Sequence, residues 1–253
     1  MNGITIRFYG ELNDFLPQQQ KYLSFNHFFK GQPSVKDLIE SLGVPHTAVE
    51  LLLINGKSSD FLYQLQGGER VAVYPIFKSL DISTVSHVRP APLKEYRFTL
   101  DVHLGKLAAT LRMVGFDTHY SNNASKNQLV NDAATESRIL LTSDRALLMR
   151  TKVVYGYMVR SRDPGLQLVE VLTRFNLVDK LLPFVRCMAC NGALRSVSKA
   201  EVLSRLPKNV RESLDEFQEC SDCGRIYWKG THYKRMNDFI RQVKEKIKMD
   251  EIH

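Results

Sequence analysis

The chain has 253 residues, more than one average domain needs, and no apolar run near the ~20 residues required to cross a bilayer, so a multidomain protein without a membrane partner is expected. Its formal charge of +8 is uneven: residues 1–85 carry 7 Lys/Arg against 8 Asp/Glu, and the remainder 28 against 19. A basic balance confined to one part favours a polyanionic partner such as nucleic acid.

In chain order, Ile4, Ile6 and Phe8 alternate as a half-buried strand does, and a second extended stretch, residues 22–29, follows a polar turn at 17–20. Ser34 stands three residues before Asp37 as a helix cap, and Val35, Leu38, Ile39 and Leu42 recur at helical spacing until Gly43 and Pro45 stop them. Residues 50–54 run into the turn pair Asn55-Gly56, and residues 70–75 close the segment as a last strand. Strand, strand, helix, strand, strand is the β-grasp plan over residues 1–80, and residues 34–77 resemble ubiquitin-like domains related to small sulfur-carrier proteins. Sulfur carriers end in a free Gly-Gly tail, whereas this chain continues through Ile76, Phe77, Lys78 and Ser79. The segment therefore reads as a module for docking a protein partner, or as a structural cap. His27 and His46 read as surface residues. Residues 81–94, with Pro90 and Pro92 and no periodicity, read as a linker.

From Tyr96 apolar strands alternate with amphipathic helices, the pattern of an α/β sheet with parallel strands covered by helices, over residues 95–183. Residues 96–100 end at Asp101, residues 139–142 just before Asp144, and residues 156–160 before Asp163. In open α/β sheets the carboxyl ends of strands line the ligand crevice, so the three aspartates are expected to converge there. Carboxylates gathered in a crevice call for a divalent cation, Mg²⁺ or Mn²⁺, whose chemistry is phosphodiester hydrolysis. The competing explanation is that Asp144 and Asp163 are helix N-caps, a position aspartate favours. Lys106, Arg112, Arg145, Arg160 and Arg162 lie near in sequence as candidate contacts to RNA phosphates. His103 reads as a packing or surface residue.

All four cysteines fall in two Cys-x-x-Cys pairs, Cys187 with Cys190 and Cys220 with Cys223. Two such knuckles supply the four thiolates of a closed structural Zn²⁺ site; two disulfides are the rival pairing, and a rubredoxin-like iron centre uses the same ligands. Reduced cysteines and no signal peptide place the expectation in the cytoplasm. Residues 184–236 then read as a zinc ribbon in which Trp228, Lys229 and His232 suit single-stranded RNA, with Trp228 equally suited to a small core under the metal. Residues 237–253 form a basic amphipathic helix that packs on the body of the protein, or contacts RNA.

Four motifs carry a wider resemblance. Asp101-Val102-x-Leu104-Gly105-Lys106-Leu107-Ala108, Gly115-Phe116-Asp117-Thr118, Arg138-Ile139-Leu140-Leu141-Thr142-x-Asp144-Arg145 and Val159-Arg160-Ser161 resemble the Mut-seven C-terminal RNase family, a PIN-like nuclease group. The resemblance continues through the knuckles into Arg225-Ile226-Tyr227-Trp228-Lys229-Gly230-Thr231-His232 and covers about residues 95–236. It implies a PIN-like sheet with a zinc ribbon behind a ubiquitin-like domain, metal-dependent ribonuclease activity, and homodimerisation. Related proteins carry acidic residues where this chain has Asn122, Asn123, Asn127 and Gln128, and amides bind a hard cation less well. The alternatives are a catalytically weak or inactive scaffold that binds RNA or ribonucleoprotein, and a protein-docking adaptor.

Overall fold

The computed structural model describes residues 2–77 and 80–252. Lys78 and Ser79, in the continuation noted above, and Met1 and His253, at the ends of the first and last segments, lie outside the described residues. The chain forms two compact units, one of residues 1–94 with 130–158 and one of residues 95–129 with 159–253.

In the first unit the alternation of β1 (Asn2–Phe8) buries Ile4, Ile6 and Phe8 to 2% exposure or less. β1 pairs antiparallel with β2 (Ser24–Phe29). Helix α1 (Val35–Ser41) starts where Ser34 Oγ accepts from the Asp37 amide at 3.1 Å. β3 (Leu51–Ile54) turns back into β4 (Lys57–Ser58) through Asn55 and Gly56, both at positive φ (52° and 82°), the requirement of a tight hairpin turn. β4 is an addition to the sequence reading, since two residues are too few to show alternation. β5 (Arg70–Tyr74) lies between β1, to which it is parallel, and β3, to which it is antiparallel, giving the order β2-β1-β5-β3-β4. The core beneath joins Val35, Leu38 and Ile39 of α1 to the inward faces of β1, β3 and β5.

Residues 130–158 complete this unit. β8 (Ile139–Thr142), which follows β6 (Phe98–Leu100) and β7 (Thr118–Tyr120) of the second unit in chain order, is buried at all four positions and runs parallel to β9 (Gly156–Met158). Between them lies α4 (Arg145–Leu148). Met158 packs against the β-grasp core, and Tyr155 donates its hydroxyl to the Ala91 carbonyl at 2.7 Å. His46 is not a surface residue: it is 9% exposed, with Nδ1 2.6 Å from Glu40 Oε1 and Nε2 2.9 Å from the Val153 carbonyl. The partner that buries it is 107 positions away. A lone histidine, here between Pro45 and Thr47, gives no sign of such a contact.

In the second unit β6 (Phe98–Leu100) and β7 (Thr118–Tyr120) are parallel and are joined through α2 (Gly105–Met113). Helix α3 (Lys126–Thr135) contributes only residues 126–129 to this unit, and α5 (Pro164–Arg174) buries Leu168, Val171 and Leu172. Phe98 packs edge-on against Phe116 and Phe175, with centroids 5.7 and 6.1 Å away. The antiparallel ribbon β10 (Leu194–Val197), β11 (Phe217–Cys220) and β12 (Ile226–Trp228) encloses two short helices, α6 (Lys199–Val202) and α7 (Lys208–Ser213). Helix α8 (Thr231–Ile252) buries Ile240, Val243 and Ile247 and packs along α5, so its apolar stripe serves packing. No helix among the described residues is long and apolar enough to cross a membrane.

Candidate metal centre and strand-end aspartates

The four sulfurs lie within 4.8 Å of one another, Cys187 to Cys223 at 3.6 Å and Cys190 to Cys220 at 3.3 Å. A disulfide needs about 2.05 Å, whereas four thiolates at ~2.3 Å from one Zn²⁺ stand about 3.8 Å apart, so the spacing fits a tetrahedral ion and all four cysteines are free. The two knuckles are built alike. Asn191 N donates to Cys187 O at 2.9 Å and Gly224 N to Cys220 O at 3.0 Å, while Cys187 N donates to Gly192 O at 2.8 Å and Cys220 N to Arg225 O at 2.9 Å. Asn191 and Gly224, each four positions after the first cysteine of its pair, both take positive φ (77° and 68°), which asparagine and glycine tolerate best. Gly192 is fixed by crowding, because a Cβ there would stand 2.8 Å from Cys220 Sγ and 2.5 Å from Asp222 Oδ2.

The electrostatics call for a cation. Burial opposes a thiolate at Cys187, yet hydrogen bonds from the Tyr227 hydroxyl, 3.1 Å from Sγ, and from the amides of Cys190 and Ala189 outweigh it and bring the thiol down to about 6. Cys190 is pushed up to about 12, first by lost hydration and then by sharing hydrogen bonds with the other thiols. One thiol lowered beside one raised is the pattern of neighbouring groups that share protons, and a divalent ion on the sulfurs would take the place of those protons.

Arg112 ties the first knuckle to the sheet. It is 4% exposed, and its guanidinium donates to the Thr118 carbonyl at 2.9 Å, Met188 O at 3.2 Å and Ala189 O at 2.8 Å. This corrects the reading of Arg112 as a phosphate contact, since its donors are turned inward and spent on carbonyls. Asn191 adds to the tie by accepting from the Thr118 amide and donating to Asp117 Oδ1, both at 2.9 Å. Asp117, also 3.7 Å from Arg186, thus braces the knuckle. Tyr227, Asn191 and Glu170 were not read from the sequence as site residues. Only Asn191 left a signal there, as the match of Gly224 in the other knuckle.

Each strand-end aspartate caps the helical turn that follows it. Asp101 Oδ1 accepts from His103 N, Asp144 Oδ1 from Ala146 N and Asp163 Oδ1 from Leu166 N, each at 2.9 Å. Asp101 is buried at 3% exposure, Asp144 is half-buried and Asp163 is exposed. Asp101 directly follows β6 and Asp144 stands two residues beyond β8. β9 ends at Met158, earlier than its apolar run suggests, because the Glu170 carboxylate takes the amides of Arg160 at 2.9 Å and Ser161 at 3.0 Å out of ladder pairing. Gln167 holds the same loop through the Ser161 carbonyl at 2.9 Å, so Asp163 sits on a braced loop. After Asp101, Tyr120 donates its hydroxyl to Val102 O at 3.0 Å, and a Cβ at Gly105 would meet that hydroxyl at 2.6 Å.

Lys106 and Arg162 are exposed, Arg145 is exposed with its guanidinium 3.3 Å from Phe15 O, and Arg160 is half-buried. Lys229 pairs with Glu216 at 2.5 Å, and His232 is exposed in the first turn of α8. Trp228, half-buried, packs with Phe217, Val202, Leu206 and Val210 in the small core of the ribbon.

Comparison with protein-family models gives two matches: the Mut7-C RNAse domain over residues 96–240 and Mut7-C ubiquitin over residues 1–81. No curated protein and no solved structure matches the chain.

Proposed function

The chain belongs to the Mut7-C RNase family, with the Mut7-C ubiquitin domain in front, and on that footing we propose that it is a metal-dependent ribonuclease that hydrolyses RNA phosphodiester bonds. The observation that carries this reading is Asp101, a carboxylate held 3% exposed at the carboxyl end of a parallel strand inside the RNase match, the end at which α/β sheets bind their ligands. Asp101, Asp144 and Asp163 are the proposed ligands of Mg²⁺ or Mn²⁺, whose hard character suits carboxylate oxygens. A bound ion of this kind supplies polarisation of the phosphate and a water of lowered pKa. The chain's own part is to hold the carboxylates through the caps at residues 103, 146 and 166 and the Glu170 brace. Lys106, Arg145, Arg160 and Arg162 are the proposed phosphate contacts, joined by Lys229 and His232 on the ribbon side. The cysteine cluster is the proposed structural zinc site. The proposed domain limits are residues 1–80, 95–183 and 184–236 around the linker 81–94, with the basic segment 237–253 last.

The test is incubation of the purified, zinc-loaded chain with single-stranded and structured RNA plus Mn²⁺, beside an Asp101→Asn, Asp144→Asn double variant whose amide oxygens can still cap. Cleavage by the parent alone supports the enzyme. A second reading, an RNA-binding protein on a nuclease scaffold, is favoured by the amides at 122–128: Asn123 is bonded to Ser121, and Ser125 caps α3 by accepting from Gln128 N at 3.2 Å. Salt-sensitive RNA binding with no cleavage by either form selects that reading.

A further inference from the structure

The ribbon has two faces, and only one of them belongs to its core. Val197, Phe217 and Trp228 form one cross-strand row and all pack with Val202, Leu206 and Val210. The neighbouring row, Ser196, Gln218 and Tyr227, points the other way by the period of two. These three residues line a groove of about 590 Å³, within the ~300–1,000 Å³ of small-molecule sites. Phe184 and Tyr233, with ring centroids 4.7 Å apart, also line it, with Met188 and Met236. Phe184 is held at a φ of 62°, unusual for a bulky residue, and anchored by its amide on the Met113 carbonyl at 2.9 Å. Among the described residues the side chains of Ser196 and Gln218 make no hydrogen bond, so the groove combines aromatic walls with an unspent hydroxyl and an unspent amide.

We propose that this groove binds a nucleobase of single-stranded RNA, stacked against Phe184 and Tyr233 with its polar edge on the Gln218 amide. A primary amide presents a donor and an acceptor side by side, the pattern that a base edge complements, and aromatic rings accept the flat face of any base. The charges agree. Asp215 and Glu216 at the groove are neutralised by Lys199 at 2.9 Å and Lys229 at 2.5 Å, so they do not repel the strand. His232, Lys234 and Arg235, next to Tyr233 on α8, are exposed and enter no ion pair among the described residues, which suits them to the flanking phosphates. The class of ligand rests on the ribonuclease reading; the groove itself does not depend on catalysis.

The chain's single tryptophan, Trp228, packs into the ribbon core but also borders the groove next to Tyr227 and Lys229, so its fluorescence reports on the groove. Zinc-loaded full-length protein is titrated with hexamers of adenylate, uridylate and cytidylate, with no other divalent ion so that nothing is cleaved, and Trp228 fluorescence is followed. The expected result is saturable binding that Gln218→Ala and Phe184→Leu each weaken about tenfold, the scale of one stacked base, with Gln218→Ala also narrowing the differences among the three hexamers. Zinc content and circular dichroism check that the variants fold, and the change at residue 218, half-buried with a side chain that makes no hydrogen bond, keeps the test alive if the change at 184 does not. Absence of hexamer binding, or binding that both variants leave within about twofold of the parent, overturns the proposal. Mn²⁺-dependent cleavage with hexamer binding unmoved by the groove variants removes the groove alone. Groove-dependent binding in a protein that never cleaves removes the catalytic reading alone.

Discussion

Replacing Arg112 by methionine removes the guanidinium while keeping an unbranched apolar stem in its place. Three carbonyls lose a cationic donor, Thr118 O at 2.9 Å, Met188 O at 3.2 Å and Ala189 O at 2.8 Å. Hydrogen bonds to a charged group contribute about 1.5–3 kcal/mol each, and buried acceptors left unpaired cost about 1–3 kcal/mol. Counting the two shorter bonds in full and the longer one lightly, and allowing water to reach the knuckle, Arg112→Met should destabilise the second unit by about 3–5 kcal/mol. Methionine fills most of the stem's volume, so little of this is a cavity cost. Met188 and Ala189 are the two residues inside the first Cys-x-x-Cys pair, so the same change should lower zinc affinity by about ten- to a hundredfold, as loss of an orienting contact does at other metal sites. Urea unfolding of the zinc-loaded protein followed by Trp228 fluorescence gives the first quantity, and competition with a chelator of known affinity gives the second. Arg112→Lys should recover less than half, because one ammonium cannot reach the β7 carbonyl and both knuckle carbonyls together. The clamp argument would be falsified if Arg112→Met cost under about 1 kcal/mol and left zinc affinity unchanged.

Three further outcomes follow from the same contacts. Tyr227→Phe removes the hydroxyl 3.1 Å from Cys187 Sγ and should weaken zinc retention about tenfold in the same chelator competition with little loss of fold, whereas unchanged retention would show that the hydroxyl is a bystander. His46→Leu breaks the bonds to Glu40 at 2.6 Å and Val153 O at 2.9 Å and should cost the first unit about 1–3 kcal/mol, seen as faster amide exchange in residues 46–49 and 150–158; exchange like the parent's would count against the tie. Glu170→Gln keeps the shape but offers only one carboxyl-type oxygen to the amides of Arg160 and Ser161, and should lower Mn²⁺-dependent cleavage about tenfold while zinc content stays fixed; full activity would detach the loop from the chemistry.

The β-grasp segment was legible because its signals are local: the alternation of Ile4, Ile6 and Phe8, the Ser34 cap and the Asn55-Gly56 turn each need only a few neighbouring residues. The knuckles were legible for the same reason, since Cys-x-x-Cys spacing is set by one turn of backbone. Strand ends were less so. The apolar run of residues 156–160 predicted a longer β9, and only Glu170, ten positions beyond Arg160, reveals where its amides go. The same holds for Trp228, whose sequence suits stacking and core alike until its register beside Phe217 assigns it to the core face.

The sequence by itself determined the four-sulfur donor set and most of the order of elements, because short spacing suffices for both, and its motifs carry the resemblance to the family that the family models match. Tertiary structure decided which polar side chains are spent. Arg112 looks like any cation on a helix until carbonyls 76 and 77 positions away close around it, and His46 like any surface histidine until Val153 meets it. Whether a charge is solvated, clamped or available to a ligand is fixed by the packing of segments far apart in the chain, and no local pattern encodes that packing.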